Sequence, residues 1–82
     1  MGPRYSLPPR DDPGYPMAAA RALLAGANRG DTMSAEEATG FGWGDQRLVR
    51  EVRQLLREAE ESEDDRAVTL AERFLRMAEP QS

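Results

Sequence analysis

Few side chains in this sequence can do covalent chemistry, and their types narrow what is open to it. The chain contains no histidine and no cysteine. That removes the commonest general base, the commonest metal ligand and the thiolate nucleophile together. Carboxylates and hydroxyls remain. Ser6 lies in a proline-rich stretch, Ser34 at a helix start, Ser62 in an acidic run and Ser82 at the last position. None has a base at the spacing of a nucleophile motif. The run Glu60-Glu61-Ser62-Glu63-Asp64-Asp65 crowds carboxylates together but lacks the ligand spacing and mid-loop glycine of a calcium loop. An acidic helix start explains it more simply. The expectation is a protein that is not an enzyme, with no catalytic residue, no metal, no cofactor and no small-molecule substrate.

Recognition chemistry is better represented. All 11 basic residues are arginine, a bias that GC-rich coding explains and that points to a bacterial or phage source. Arg47, Arg50, Arg53 and Arg57 recur three or four residues apart, which puts them along one side of a helix. Gly40-Phe41-Gly42-Trp43-Gly44 brackets two of the five aromatic residues with glycine. It matches no phosphate-binding glycine pattern. Its rings are expected to plug the end of a helical bundle, with an anchor for a partner as the alternative. Tyr5 and Tyr15 are the aromatic residues of the N-terminal stretch. The candidate partner-binding set is therefore Tyr5, Tyr15, Phe41, Trp43, Arg47, Arg50, Arg53 and Arg57. The tripeptide Arg29-Gly30-Asp31 is assigned to helix capping.

The elements that must position these residues follow from periodicity and punctuation. Five of the six prolines lie in residues 1–16, so this stretch should be an extended, turn-rich arm, with a turn at Asp12-Pro13-Gly14. A first helix is predicted over 17–28, with Met17, Ala20, Leu23, Leu24 and Ala27 on its apolar face and Asn28 and Gly30 as its stop. A short second helix is predicted over 35–39, with Ser34 and Glu37 as a capping box. Asp45 should cap a third helix over 46–60, whose apolar stripe is Leu48, Val52, Leu55, Leu56 and Ala59. Its glutamate-rich end opposes the helix dipole and should fray. A fourth helix is predicted over 64–78, and 80–82 form a tail. The predicted fold is all-α: a small three- to four-helix bundle over 17–79, its last two helices an antiparallel hairpin. The expected core is Leu23, Leu24, Leu48, Val52, Leu55, Leu56, Leu70, Phe74 and Leu75.

Eighty-two residues form one domain with a small core that no disulfide supplements. No stretch reads as a secretory signal or spans a bilayer, so the expected location is cytoplasmic, with no membrane partner. The hairpin carries more apolar face than the first two helices should cover, which implies a partner protein or a second copy of the chain. The leading functional expectation is a protein–protein interaction module: an adaptor, an inhibitor or a structural component of a larger assembly.

Ser34 to Arg53 also resembles a helix-turn-helix, with Ala38 at the small position of the first helix, Gly42 in the turn, and Leu48 and Val52 on the second helix. The resemblance implies an alternative, DNA binding, with Gln46, Arg47 and Arg50 reading the groove. The turn is longer than the three or four residues of that motif. The net charge of −4 opposes contact with phosphates.

Overall fold

The computed structural model describes residues 7–79, in which four α-helices and one 3-10 turn form a compact bundle with a radius of gyration of 12.2 Å. Tyr5 lies outside the described residues, as does the 80–82 tail. Among the described residues there is no strand.

Helix α1 spans Tyr15–Asn28, beginning two residues before the predicted start. Pro16 sits in its first turn, where a missing N–H costs no helical hydrogen bond. The preceding turn forms where Asp12-Pro13-Gly14 indicates. Asp12 N–H donates to the Pro9 carbonyl (2.9 Å), Tyr15 N–H to the Asp12 carbonyl (2.9 Å) and Gly14 N–H to Asp12 Oδ1 (2.7 Å). The helix stops in a Schellman motif, with Gly30 at φ +73° and Asp31 N–H on the Gly26 carbonyl at 2.7 Å.

Helix α2 is Thr32–Thr39, longer than predicted, because Asp31 rather than Ser34 is its N-cap. The Asp31 carboxylate accepts from Ser34 N–H at 3.3 Å. The aspartate of Arg29-Gly30-Asp31 thus serves as a helix cap.

A 3-10 turn, Gln46–Leu48, carries the chain from the Asp45 cap into helix α3, Val49–Glu61. The glutamate-rich end of α3 is helical through Glu61 and closed by capping contacts. Ser62 Oγ donates to the Glu58 carbonyl (3.0 Å), and Glu63 and Asp64 N–H groups close a Schellman motif on Glu60 (3.2 Å) and Ala59 (2.9 Å). The left-handed residue of that motif is Glu63, at φ +56°, where an L side chain is strained. Glu63→Gly is therefore expected to stabilise the fold by about 0.5–1 kcal/mol net of the glycine's unfolded-state entropy, read as a higher midpoint in a urea melt. Helix α4, Asp65–Ala78, is capped by Asp64, whose carboxylate accepts from Ala67 N–H at 3.1 Å.

Helices α3 and α4 run antiparallel. Gln46 Nε2 donates to the Ala78 carbonyl (3.2 Å) and Arg53 pairs with Glu79, so the start of one lies against the end of the other. α1 lies across both, and α2 packs on α1. Leu23, Leu48, Val52 and Phe74 are fully buried, and Leu55 and Leu70 nearly so. Leu24, Leu56 and Leu75, also expected in the core, are half-buried at its edge. Their places are taken by Tyr15 and by alanines outside the expected core: Ala19, Ala20, Ala22, Ala35 and Ala71, of which Ala20 lies on the predicted apolar face of the first helix. A ridge of alanine lets α1 approach closely enough to cover much of the hairpin's apolar face.

Candidate functional site

The aromatic candidates are largely committed to the fold. Tyr15 is buried, and its hydroxyl donates to the Thr39 carbonyl at 2.7 Å. Thr39, also buried, donates its hydroxyl to the Ala35 carbonyl (2.8 Å) and accepts from Phe41 N–H (3.2 Å). This polar knot ties α1 to the end of α2 with its hydrogen bonds satisfied. Arg10 covers it, its guanidinium 5.9 Å from the Tyr15 ring centre and against Gly40.

Phe41 is half-buried, 6.2 Å from Tyr15. Trp43, half-buried as well, meets Phe74 edge to face at 5.0 Å. Both rings rest on the core from the bundle's end. Glu36 holds the segment between them by accepting Trp43 N–H at 2.8 Å. Beside them, Met33 is 70% and Met77 65% exposed.

The four candidate arginines share one region but not one state. Arg47 is engaged twice: it donates through Nε (3.0 Å) and Nη2 (2.7 Å) to Asp45, and its guanidinium stacks 4.5 Å from the Phe41 ring centre. The Arg47 guanidinium, ahead of other influences, holds the Asp45 carboxyl below its ordinary value. Arg53 is bound to Glu79 at 2.6 Å. Arg50 and Arg57 are exposed and have no hydrogen bond or ion pair among the described residues.

All four arginines line an open groove of about 850 Å³ along α3, with Val49, Leu56 and Leu75 as its half-buried apolar contribution. The Oε1 of Glu51, also on this groove, is buried and has no hydrogen-bond donor among the described residues.

Sequence reasoning missed Asp45 and Glu79 as arginine partners, and placed Leu56 and Leu75 in the core rather than beside the arginines. Asp45 was legible as a cap two residues before Arg47. Glu79 lies 26 residues from Arg53, and no local pattern announces that pair.

No protein-family model, curated protein or solved structure matches this chain. The function must be read from the surface itself.

Of the helix-turn-helix positions, Ala38, the small residue of the first helix, is exposed rather than packed against the second. α2 packs on α1, and α3 on α4. Among the described residues, no group of three or more carboxylates converges as a metal site would, and no helix is long and apolar enough to cross a membrane.

Proposed function

We propose that this chain is a cytoplasmic, non-catalytic protein–protein interaction module whose docking face is the groove along α3 and α4, and that its partner presents an acidic helical surface. The observation that carries this is the pair Arg50 and Arg57, which lack a hydrogen bond or ion pair among the described residues while flanking the apolar edge of Leu56 and Leu75. Arginine forks beside an apolar strip suit carboxylates carried on an amphipathic helix.

DNA is the weaker fit. Asp45 and Glu79 already engage two of the four arginine charges, and Glu60 and Glu61 stand exposed on the same helix, where they would repel phosphates.

A synthetic amphipathic peptide with a glutamate face, titrated into the labelled chain, is expected to shift the NMR signals of Arg50, Leu56, Arg57 and Leu75 and to leave α2 unchanged. Fluorescence anisotropy with a short random-sequence DNA duplex at low salt is the opposing arm. DNA binding tighter than about 10 μM, within the range of non-specific DNA affinities, that disappears in Arg47→Ala/Arg50→Ala would overturn the assignment. So would peptide shifts that avoid the groove.

A further inference from the structure

We infer that the exposed face of α3 is self-complementary and that its occupant is the same face of a second copy of this chain, laid antiparallel across a two-fold axis. This rests on the α3–α4 groove being a docking face.

Arg50, Arg53, Arg57, Glu60 and Glu61 are spaced three, four, three and one residues apart, and all are exposed. They lie on one side of the helix, with Val49 and Leu56, seven residues apart, as the half-buried edge toward α4. The charges are segregated along that side. Arginines occupy the first part, while Glu58, Glu60 and Glu61 sit near the C-terminus, where the last turn has no basic residue. The C-terminal half opposes the dipole of α3, which favours cations there, whereas at the N-terminal end Glu51 in the first turn offsets Arg50 in part.

The chain itself relieves part of this: Arg21 of α1 meets Glu58 at 3.2 Å, which leaves Glu60 and Glu61 as the exposed acidic end. Glu79 answers Arg53 alone. Arg57 has Glu60 and Glu61 within one helical turn, yet it pairs with neither, and arginine preceding glutamate is the poorer order for such a pair.

An antiparallel second copy supplies what is missing. It sets the glutamate half of each α3 over the arginine half of the other, twice by symmetry, and places anions near each N-terminus and cations near each C-terminus. A parallel copy would face arginine with arginine. The midpoint of the stripe falls beside Leu56, so the Leu56 and Leu75 edges of the two copies meet near the axis. The contact is isologous and closes at two chains. Exposed ion pairs contribute little individually, so the apolar edge supplies affinity while the charges select antiparallel over parallel.

Analytical ultracentrifugation of the full chain tests this, with circular dichroism confirming that each variant folds. The wild type is expected to dimerise reversibly, and less so at high salt. Arg50→Glu/Arg53→Glu and Glu60→Arg/Glu61→Arg each set like charges face to face and should weaken dimerisation about tenfold or more. The quadruple variant combining them has the wild-type net charge and should dimerise again, because both halves are reversed together. A wild type that stays monomeric up to millimolar concentration overturns the inference. A dimer indifferent to either reversal, or a quadruple variant that stays monomeric, overturns it as well. If the chain is monomeric while the acidic peptide still shifts the groove signals, the docking face stands and a foreign acidic helix occupies it. If both measurements fail, the docking face falls too.

Discussion

Phe74→Ala is expected to remove about 3–5 kcal/mol of stability, the largest effect of any single truncation in this chain. Phe74 is fully buried in a cluster with Leu23, Leu48 and Val52, which brings α1, α3 and α4 together. It also carries the edge of Trp43 at 5.0 Å, so its loss unseats the ring that closes the bundle's end. A chain of 82 residues has roughly 4–12 kcal/mol to lose, at about 0.05–0.15 kcal/mol per residue. The loss is therefore at least about a quarter of that total and, at its lower end, all of it. A urea melt followed in parallel by far-ultraviolet circular dichroism and by Trp43 fluorescence reads the change from two directions. Leu56→Ala, at a half-buried position, is the control and should cost clearly less. A Phe74→Ala midpoint indistinguishable from the wild type would show that the core is centred elsewhere.

Gly44→Ala should be nearly as damaging, for a reason that involves no loss of apolar area. Gly44 has φ +81°, a backbone state strained for any L side chain, and a Cβ built there lies 2.6 Å from Cβ of Met77. Met77 Cβ is fixed to the backbone of α4 and cannot swing away. The Phe41–Trp43 segment or the end of α4 has to move, and strain and overpacking together should cost about 2–4 kcal/mol. Two other glycines separate the contributions. Gly30 shares the positive φ, at +73°, but a Cβ there meets nothing within 4 Å, so Gly30→Ala should show the backbone term alone, about 1 kcal/mol. Gly42 has no positive φ, and its nearest neighbour to a built Cβ is Glu36 Oε2 at 3.7 Å, an ordinary contact, so Gly42→Ala should be close to neutral. Equal melting midpoints for the three alanine variants would refute this ordering.

The dependence of the segment around Gly44 on Met77 and Phe74 also bears on how the surface is shared. Trp43 and Phe41 are positioned by core contacts, so the bundle's end is built by the same residues that close the hydrophobic cluster. The arginines of the groove, by contrast, are exposed and lie outside the core. Substitutions at Arg50 and Arg57 can accordingly be read as effects on binding, whereas substitutions at Trp43 mix binding with stability.

That four helices form, and nearly where, is written in local signals. Apolar spacing of three and four residues, the Asp45 and Asp64 caps, and the glycines at 30 and 40 act within a turn or two of chain. Two boundary features changed where local signals competed. Asp31 displaced Ser34 as the cap of α2, and Ser62 with the left-handed Glu63 closed the end of α3 that its dipole disfavours. Four arginines on one side of the third helix were legible in the same way. Which of them stay unpaired was decided by the tertiary structure. Arg53 meets Glu79 only because α4 runs back along α3, and Arg47 is stacked only because the glycine-rich segment brings Phe41 beside it. Folding likewise decided that Tyr15 is a buried strut and that alanines, rather than Leu24, Leu56 and Leu75, fill the centre. Burial depends on how closely two helices approach. That distance is set by the smallest residues on both faces, and a stripe read along one helix contains only one of them.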